Sequence, residues 1–147
     1  MLDRNGLGIV IVDIEHIFEE NLRKQLVANL REVLSKDSEC PIIIIGEESN
    51  EQELTSRDYN VFRIKYSNPY RNLMDYFKQN KIERLLITGA RTNLCVLISA
   101  KKFNIKGFEV VTCRTLMEPD IDLFSKYSLR DRYKQLGRFY EHHSELF

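Results

Sequence analysis

The chain has 147 residues, with 22 Lys and Arg against 22 Asp and Glu, so its formal charge is zero and a single domain over 1–147 is the expectation. With 43% hydrophobic and 30% charged residues the composition is that of a folded globular chain, which excludes disorder, and the balanced charge gives no electrostatic footprint for nucleic acid. No stretch approaches the ~20 apolar residues that span a bilayer, the N-terminus Met1–Asn5 carries no basic segment leading into an apolar run, and three cysteines form neither a CxxC pair nor a disulfide framework. No nucleic-acid partner, no membrane and a cytoplasmic location are therefore expected.

Short apolar runs recur at Leu7 to Val12, Ile42 to Ile45, Val61 to Ile64, Leu85 to Thr88 and Phe108 to Thr112. Continuous rather than alternating apolarity marks strands covered on both faces, as in a parallel sheet. Between them the period changes. Phe18, Leu22, Leu26, Leu30 and Val33 repeat at about one turn and predict an amphipathic helix over 16–35. Asn68 and Pro69 read as an N-cap and first helical residue, with Tyr70, Leu73, Met74 and Phe77 along one face. A third helix is expected from near Thr92, with Val96, Ala100 and Phe103 on one stripe and a stop at Gly107. The rhythm is that of an open α/β sheet, whose ligands sit beyond the carboxyl ends of the strands.

Asp13 follows the first apolar run, Lys65 the third, and Cys95 lies just past the fourth, so independent strands lead to a carboxylate, an ammonium and a thiol. With Thr92 as N-cap, Cys95 falls in the first helical turn, where unpaired N–H groups and the helix dipole stabilise a thiolate. Lys65 would lower the thiol pKa further, and Asp13 would take the thiol proton and deliver it to a leaving group. Singly, each residue has a plainer use: a core thiol, a helix cap, a solvated charge. Cys40 stands at a strand entrance, the opposite end of the sheet, and no helix cap follows Cys113. Gly6-Leu7-Gly8 precedes a strand and is no phosphate loop. His16 reads as a solvent-exposed helix residue, His142 and His143 as surface histidines that point apart, and Lys126, Arg130, Arg132, Lys134 and Arg138 as a solvated basic face.

The run Ile87-Thr88-Gly89-Ala90-Arg91-Thr92-Asn93-Leu94-Cys95-Val96 resembles the G-x-x-T-x-x-C-V segment of the isochorismatase-like cysteine hydrolases, which include nicotinamidases and N-carbamoylsarcosine amidohydrolase. Val10 to Phe18 is similar to the family's opening strand, Arg63 to Tyr70 to its lysine strand, and Gly137 to Tyr140 with Ser144 to Leu146 to its last strand and closing helix. The resemblance implies a three-layer α/β/α fold with a six-stranded parallel sheet in the order 3-2-1-4-5-6, and an Asp13, Lys65, Cys95 triad. It also implies a cis peptide at Ala90–Arg91 that turns the Arg91 and Cys95 backbone N–H groups into an oxyanion hole. Phe18 and Glu15 would line the substrate pocket.

The departures from the family pattern are specific. No histidine occurs between Glu47 and Tyr59, where nicotinamidases keep metal ligands, so neither metal nor other cofactor is expected. Glu15 replaces a glutamine, and a second carboxylate near Asp13 would tend to raise the pKa of the pair. Arg114 stands where the family often has an aspartate. The Asp13 to Lys65 stretch is short, which removes much of the loop that closes over substrate and points to a homo-oligomer whose pocket another chain completes. The expected activity is metal-independent cleavage of a C–N bond in a small amide or carbamoyl compound through a Cys thioester. The competing reading is a catalytically silent family member serving as an oligomeric or partner-binding protein.

Overall fold

Four consecutive isoleucines, Ile42–Ile45, leave a strand no polar face, and all four are buried. Such a segment is stable only with protein on both sides. The computed structural model describes residues 2–12, 14, 17, 19–36, 39–46, 61–64, 70–90, 95–118 and 127–147. In chain order these form β1 (Leu7–Val12), α1 (Glu20–Lys36), β2 (Ile42–Ile45), β3 (Val61–Ile64), α2 (Tyr70–Gln79), β4 (Arg84–Gly89), α3 (Cys95–Ile105), β5 (Glu109–Met117), α4 (Tyr127–Leu136), β6 (Gly137–Tyr140) and a closing 3-10 turn, His143–Glu145. The strands make one parallel sheet in the order β3-β2-β1-β4-β5-β6, as expected.

Period-two alternation sorts the strand residues into two cores. Ile9, Ile11, Ile42, Ile44, Leu86 and Val111 face α1, meeting Leu26, Leu30 and Val33. Val10, Val12, Ile43, Ile45, Leu85, Ile87 and Val110 face the other way, against Leu73 and Phe77 of α2, Val96, Ala100 and Phe103 of α3, and Tyr133 of α4. The result is the three-layer α/β/α architecture. Phe77, Phe103 and Phe108 interlock edge to face, with ring centroids 5.0 to 6.2 Å apart, and tie α2 to α3 and to the entrance of β5. No helix among the described residues is long and apolar enough to cross a membrane.

Three local expectations are corrected. The first helix begins at Glu20 rather than at 16, because the Glu19 carboxylate accepts the N–H groups of Asn21 at 3.1 Å and Leu22 at 2.7 Å and so satisfies orphan donors of the first turn. Leu22 is exposed, and the buried stripe is Leu26, Val27, Leu30, Val33 and Leu34. The fifth strand does not stop at Thr112 but continues to Met117 through a bulge: Thr112 pairs with Ile87 and Met117 with Gly89, so that Thr88 alone faces residues 113–116. The other two helices with expected caps start at Tyr70 and Cys95, and those caps, Asn68 and Thr92, lie outside the described residues. Helix α3 ends at Ile105, and the expected stop, Gly107, follows in the turn with a φ of 98° that only glycine adopts without strain.

Gly89 closes β4 at φ 125°, and a Cβ built there would lie 2.0 Å from the Val12 carbonyl oxygen. Gly89→Ala should therefore force β1 and β4 apart at their carboxyl ends and cost about 2–4 kcal/mol of unfolding free energy. Urea titration measures this, and wild-type stability in the variant would show that the close approach is dispensable.

Candidate active site

The strands that lead toward the three candidate residues end level with one another. Val12 is paired with Ile45 on one side and Gly89 on the other, and Ile45 is paired with Ile64. Hydrogen bonds just past the pairing hold the ends in place. The Ala90 N–H donates to the Val12 carbonyl at 2.8 Å, the Gly46 N–H to that of Ile64 at 3.1 Å, and the Glu118 N–H to that of Gly89 at 2.9 Å. Asp13 is the next residue after Val12 in sequence and Lys65 the next after Ile64. Gly89 is followed by the fully buried Ala90, and Cys95 is the first residue of α3.

Two features of this edge escape motif reading. The Thr88 hydroxyl, fully buried after the apolar Leu85–Ile87, donates to the Val10 carbonyl at 2.8 Å and braces β4 against β1 one residue before the close approach. The Gly89–Val12 contact itself is the second. Gly89 is the opening glycine of the G-x-x-T-x-x-C-V segment, but neither it nor a threonine ending an apolar run announces a contact with β1, since both also fit an ordinary turn.

Cys95 is the candidate residue that lies within the described residues; Asp13, Glu15, Phe18, Lys65 and Arg91 lie outside them, as do His16 and the Ala90–Arg91 bond. Its thiol is free of disulfide, half-buried, and packed against the core facing α2, α3 and α4. At a helix N-terminus the first backbone N–H groups have no intrahelical acceptors, and the aligned peptide dipoles favour a thiolate. The other two cysteines are differently placed. Cys40 is buried at the start of β2 and donates its S–H to the Leu7 carbonyl at 3.0 Å. Cys113 is fully buried in β5, and burial pushes its thiol up.

Other polar expectations divide. Arg132, Lys134 and Arg138 are exposed as expected, Arg138 also lying 3.6 Å from Glu109, and Lys126 is outside the described residues; Arg130 and Arg114 both pair with Glu141, at 3.2 and 3.4 Å. His142 is exposed as expected, but the reading of His143 as a surface residue and of the two side chains as pointing apart is overturned. The 3-10 turn stacks their rings with centroids 4.3 Å apart and buries His143 against Glu32 and Thr115. Among the described residues no group of three or more His, Cys, Asp or Glu side chains could hold a metal ion.

No protein-family model matches the chain. No sequence among the curated proteins matches it either. Solved structures do. N-carbamoylsarcosine amidase from Thermoplasma acidophilum superposes with a TM-score of 0.71 at 11% identity, over 92% of this chain and 95% of that one. An isochorismatase family protein from Burkholderia thailandensis gives 0.73 at 12% identity, over 95% and 93%. An octameric hydrolase of unknown specificity from Escherichia coli gives 0.71 at 18% identity, over 95% and 76%. The fold is that of the isochorismatase-like hydrolases, the family the sequence resembles.

The placement of the three thiols makes a kinetic prediction. Cys95 should react with iodoacetamide much faster than Cys40 or Cys113, since it alone of the three combines partial exposure with a helix N-terminus. Peptide mass mapping of a time course reads this out, and equal rates at the three sites would count against a nucleophilic role for Cys95.

Proposed function

We propose that the chain is one metal-independent cysteine hydrolase domain, which cleaves a C–N bond of a small amide or carbamoyl compound through a thioester on Cys95. The observation that carries this reading is the level ending of β1, β3 and β4. Asp13, Lys65 and the chain leading to Cys95 follow those ends at one edge of the sheet, and Cys95 opens a helix there. That the fold is shared with an N-carbamoylsarcosine amidase supports the choice of a C–N bond.

In the proposed reaction the Cys95 thiol gives its proton to Asp13, with the Lys65 ammonium beside it favouring the thiolate. The sulfur attacks the substrate carbonyl carbon, and the resulting oxyanion accepts hydrogen bonds from the Arg91 and Cys95 backbone N–H groups. The C–N bond breaks as Asp13 returns its proton to the departing nitrogen. Water, deprotonated by Asp13, then attacks the thioester, releasing the acid and restoring the thiol. The net change is amide plus water to acid plus amine, with no redox step. Phe18 and Glu15 would line the substrate pocket.

We further propose a homo-oligomer. One structural neighbour is an octamer. Helix α3, which begins at Cys95, leaves Ile98 56% and Ile105 83% exposed, seven residues apart and hence on one face. A cytoplasmic location fits three cysteines that are all free thiols.

Asp13→Asn should lower kcat/KM on small amides by about 10² to 10⁴-fold and Cys95→Ala should reduce it to background, both with unchanged circular dichroism and melting temperature. A strong chelator should leave the parent's turnover unchanged. Full activity in the Asp13→Asn variant would refute the proton path, and loss of activity on chelation would refute the metal-free mechanism. If no compound in a broad panel of amides and carbamoyl compounds is turned over, the silent-relative reading replaces this one.

A further inference from the structure

His143 is only 4% exposed although it lies close to the end of the chain, and its ring is held from two different elements. Nε2 is 2.9 Å from Glu32 Oε2 on α1, and Nδ1 is 2.8 Å from Thr115 Oγ1 in the bulge of β5. The Thr115 hydroxyl oxygen also accepts the His143 backbone N–H at 2.9 Å, and Cys113 Sγ stands 3.5 Å from it. With the imidazole neutral, one assignment of protons satisfies every group: Nε2–H to the Glu32 carboxylate, the Thr115 O–H to Nδ1, and the His143 N–H and Cys113 S–H to the Thr115 oxygen. The Thr115 carbonyl is engaged as well, by the Asn29 amide at 2.9 Å.

The rest of the segment is fastened in the same region. His142 caps the 3-10 turn by accepting the Ser144 N–H, while Glu145 accepts the His142 N–H at 3.1 Å. Leu146 is fully buried in the α1-facing core, and its carbonyl accepts the Leu2 N–H at 2.8 Å.

We propose that residues 141–147 form a clasp, locked by the Glu32–His143–Thr115 chain, that opens on acidification and loosens the bulged end of β5. The Glu118 N–H that follows this bulge is the donor to Gly89, so the clasp braces the strand end that leads toward Cys95. The proposal does not depend on the hydrolase reading.

The sign of the pH dependence follows from Glu32. Its carboxyl is held below the usual 4.5, first by the hydrogen bond from His143 and then by the imidazole charge; Lys36 and His142 pull the same way, and only desolvation opposes them. A carboxyl whose folded pKa is depressed contributes stability that is complete above 4.5 and is lost as pH falls through the lower, folded value. The other groups facing the lock do not replace that charge. Thr115 is neutral, the Cys113 thiol is kept protonated by burial, and Glu145 is engaged with the His142 backbone. Once Glu32 is neutral, the buried ring has lost the carboxylate that accepts its Nε2–H, and exposure becomes the cheaper state.

Amide hydrogen exchange of the full chain between pH 7 and 3.5, corrected for intrinsic exchange rates, tests this directly. The amides of His143, Glu145 and Leu146 should lose protection below pH 4.5 while those of β1 and β4 keep theirs. The Glu32 side chain is 54% exposed, so Glu32→Gln leaves the core intact. That variant should exchange the same three amides at least about tenfold faster at pH 7 and show no further acid transition. A variant profile that superposes on the parent's would overturn the proposal. So would loss of protection at the three amides only together with β4.

Discussion

The contact on which the rest of the structure depends is the close approach of β4 to β1 at their carboxyl ends. Six residue pairs run in register from Leu7 and Arg84 to Val12 and Gly89, and at the last of them the glycine has no Cβ to hold the strands apart. The Val12 carbonyl thus receives the Ala90 N–H, and the two central strands finish together instead of one overrunning the other. The ends of β1 and β4, which precede Asp13 and Ala90 in sequence, are fixed by that alignment. The apolar strands supply the stability, but a one-residue slip would send each side chain of β4 to the opposite core and end the strand at a different level.

The three thiols illustrate how one residue type is given different chemistry by its place on this scaffold. Cys40 and Cys113 are both buried, the first spending its S–H on a strand carbonyl and the second held neutral by desolvation. Cys95 opens a helix at the edge where ligands bind in open α/β sheets. Burial in hydrocarbon keeps a thiol neutral, whereas a helix N-terminus favours the thiolate. The sheet decides which of these a cysteine will be.

Much of the fold was legible because burial on both faces leaves so plain a pattern. Ile42–Ile45 has no polar position, and β1, β2 and β3 have the bounds that their apolar runs predict. The misreadings arose where a polar side chain or irregular backbone overrode periodicity. The Glu19 carboxylate starts α1 later than its apolar repeat suggests, and the bulge that carries β5 to Met117 has a mixed sequence, Cys-Arg-Thr-Leu, without strand character. His143 was missed for a related reason. The expected divergence needs extended backbone at both residues, whereas His143 turns into the 3-10 helix straight after the extended His142, and its partners Glu32 and Thr115 are far away in sequence. Of the candidate site, sequence located Cys95 at the helix start that the structure describes, while it could not supply the Thr88 and Gly89 braces, which act through backbone contacts with another strand.

The claim at the centre of this account is covalent: a carbonyl carbon becomes bonded to the sulfur of Cys95. Rapid acid quenching of the protein with small amides and carbamoyl compounds, followed by mass spectrometry of its peptides, measures that bond. The account predicts an acyl or carbamoyl increment on the peptide containing Cys95 that hydroxylamine removes. Turnover with no increment on that peptide, or with the increment on another residue, would contradict it.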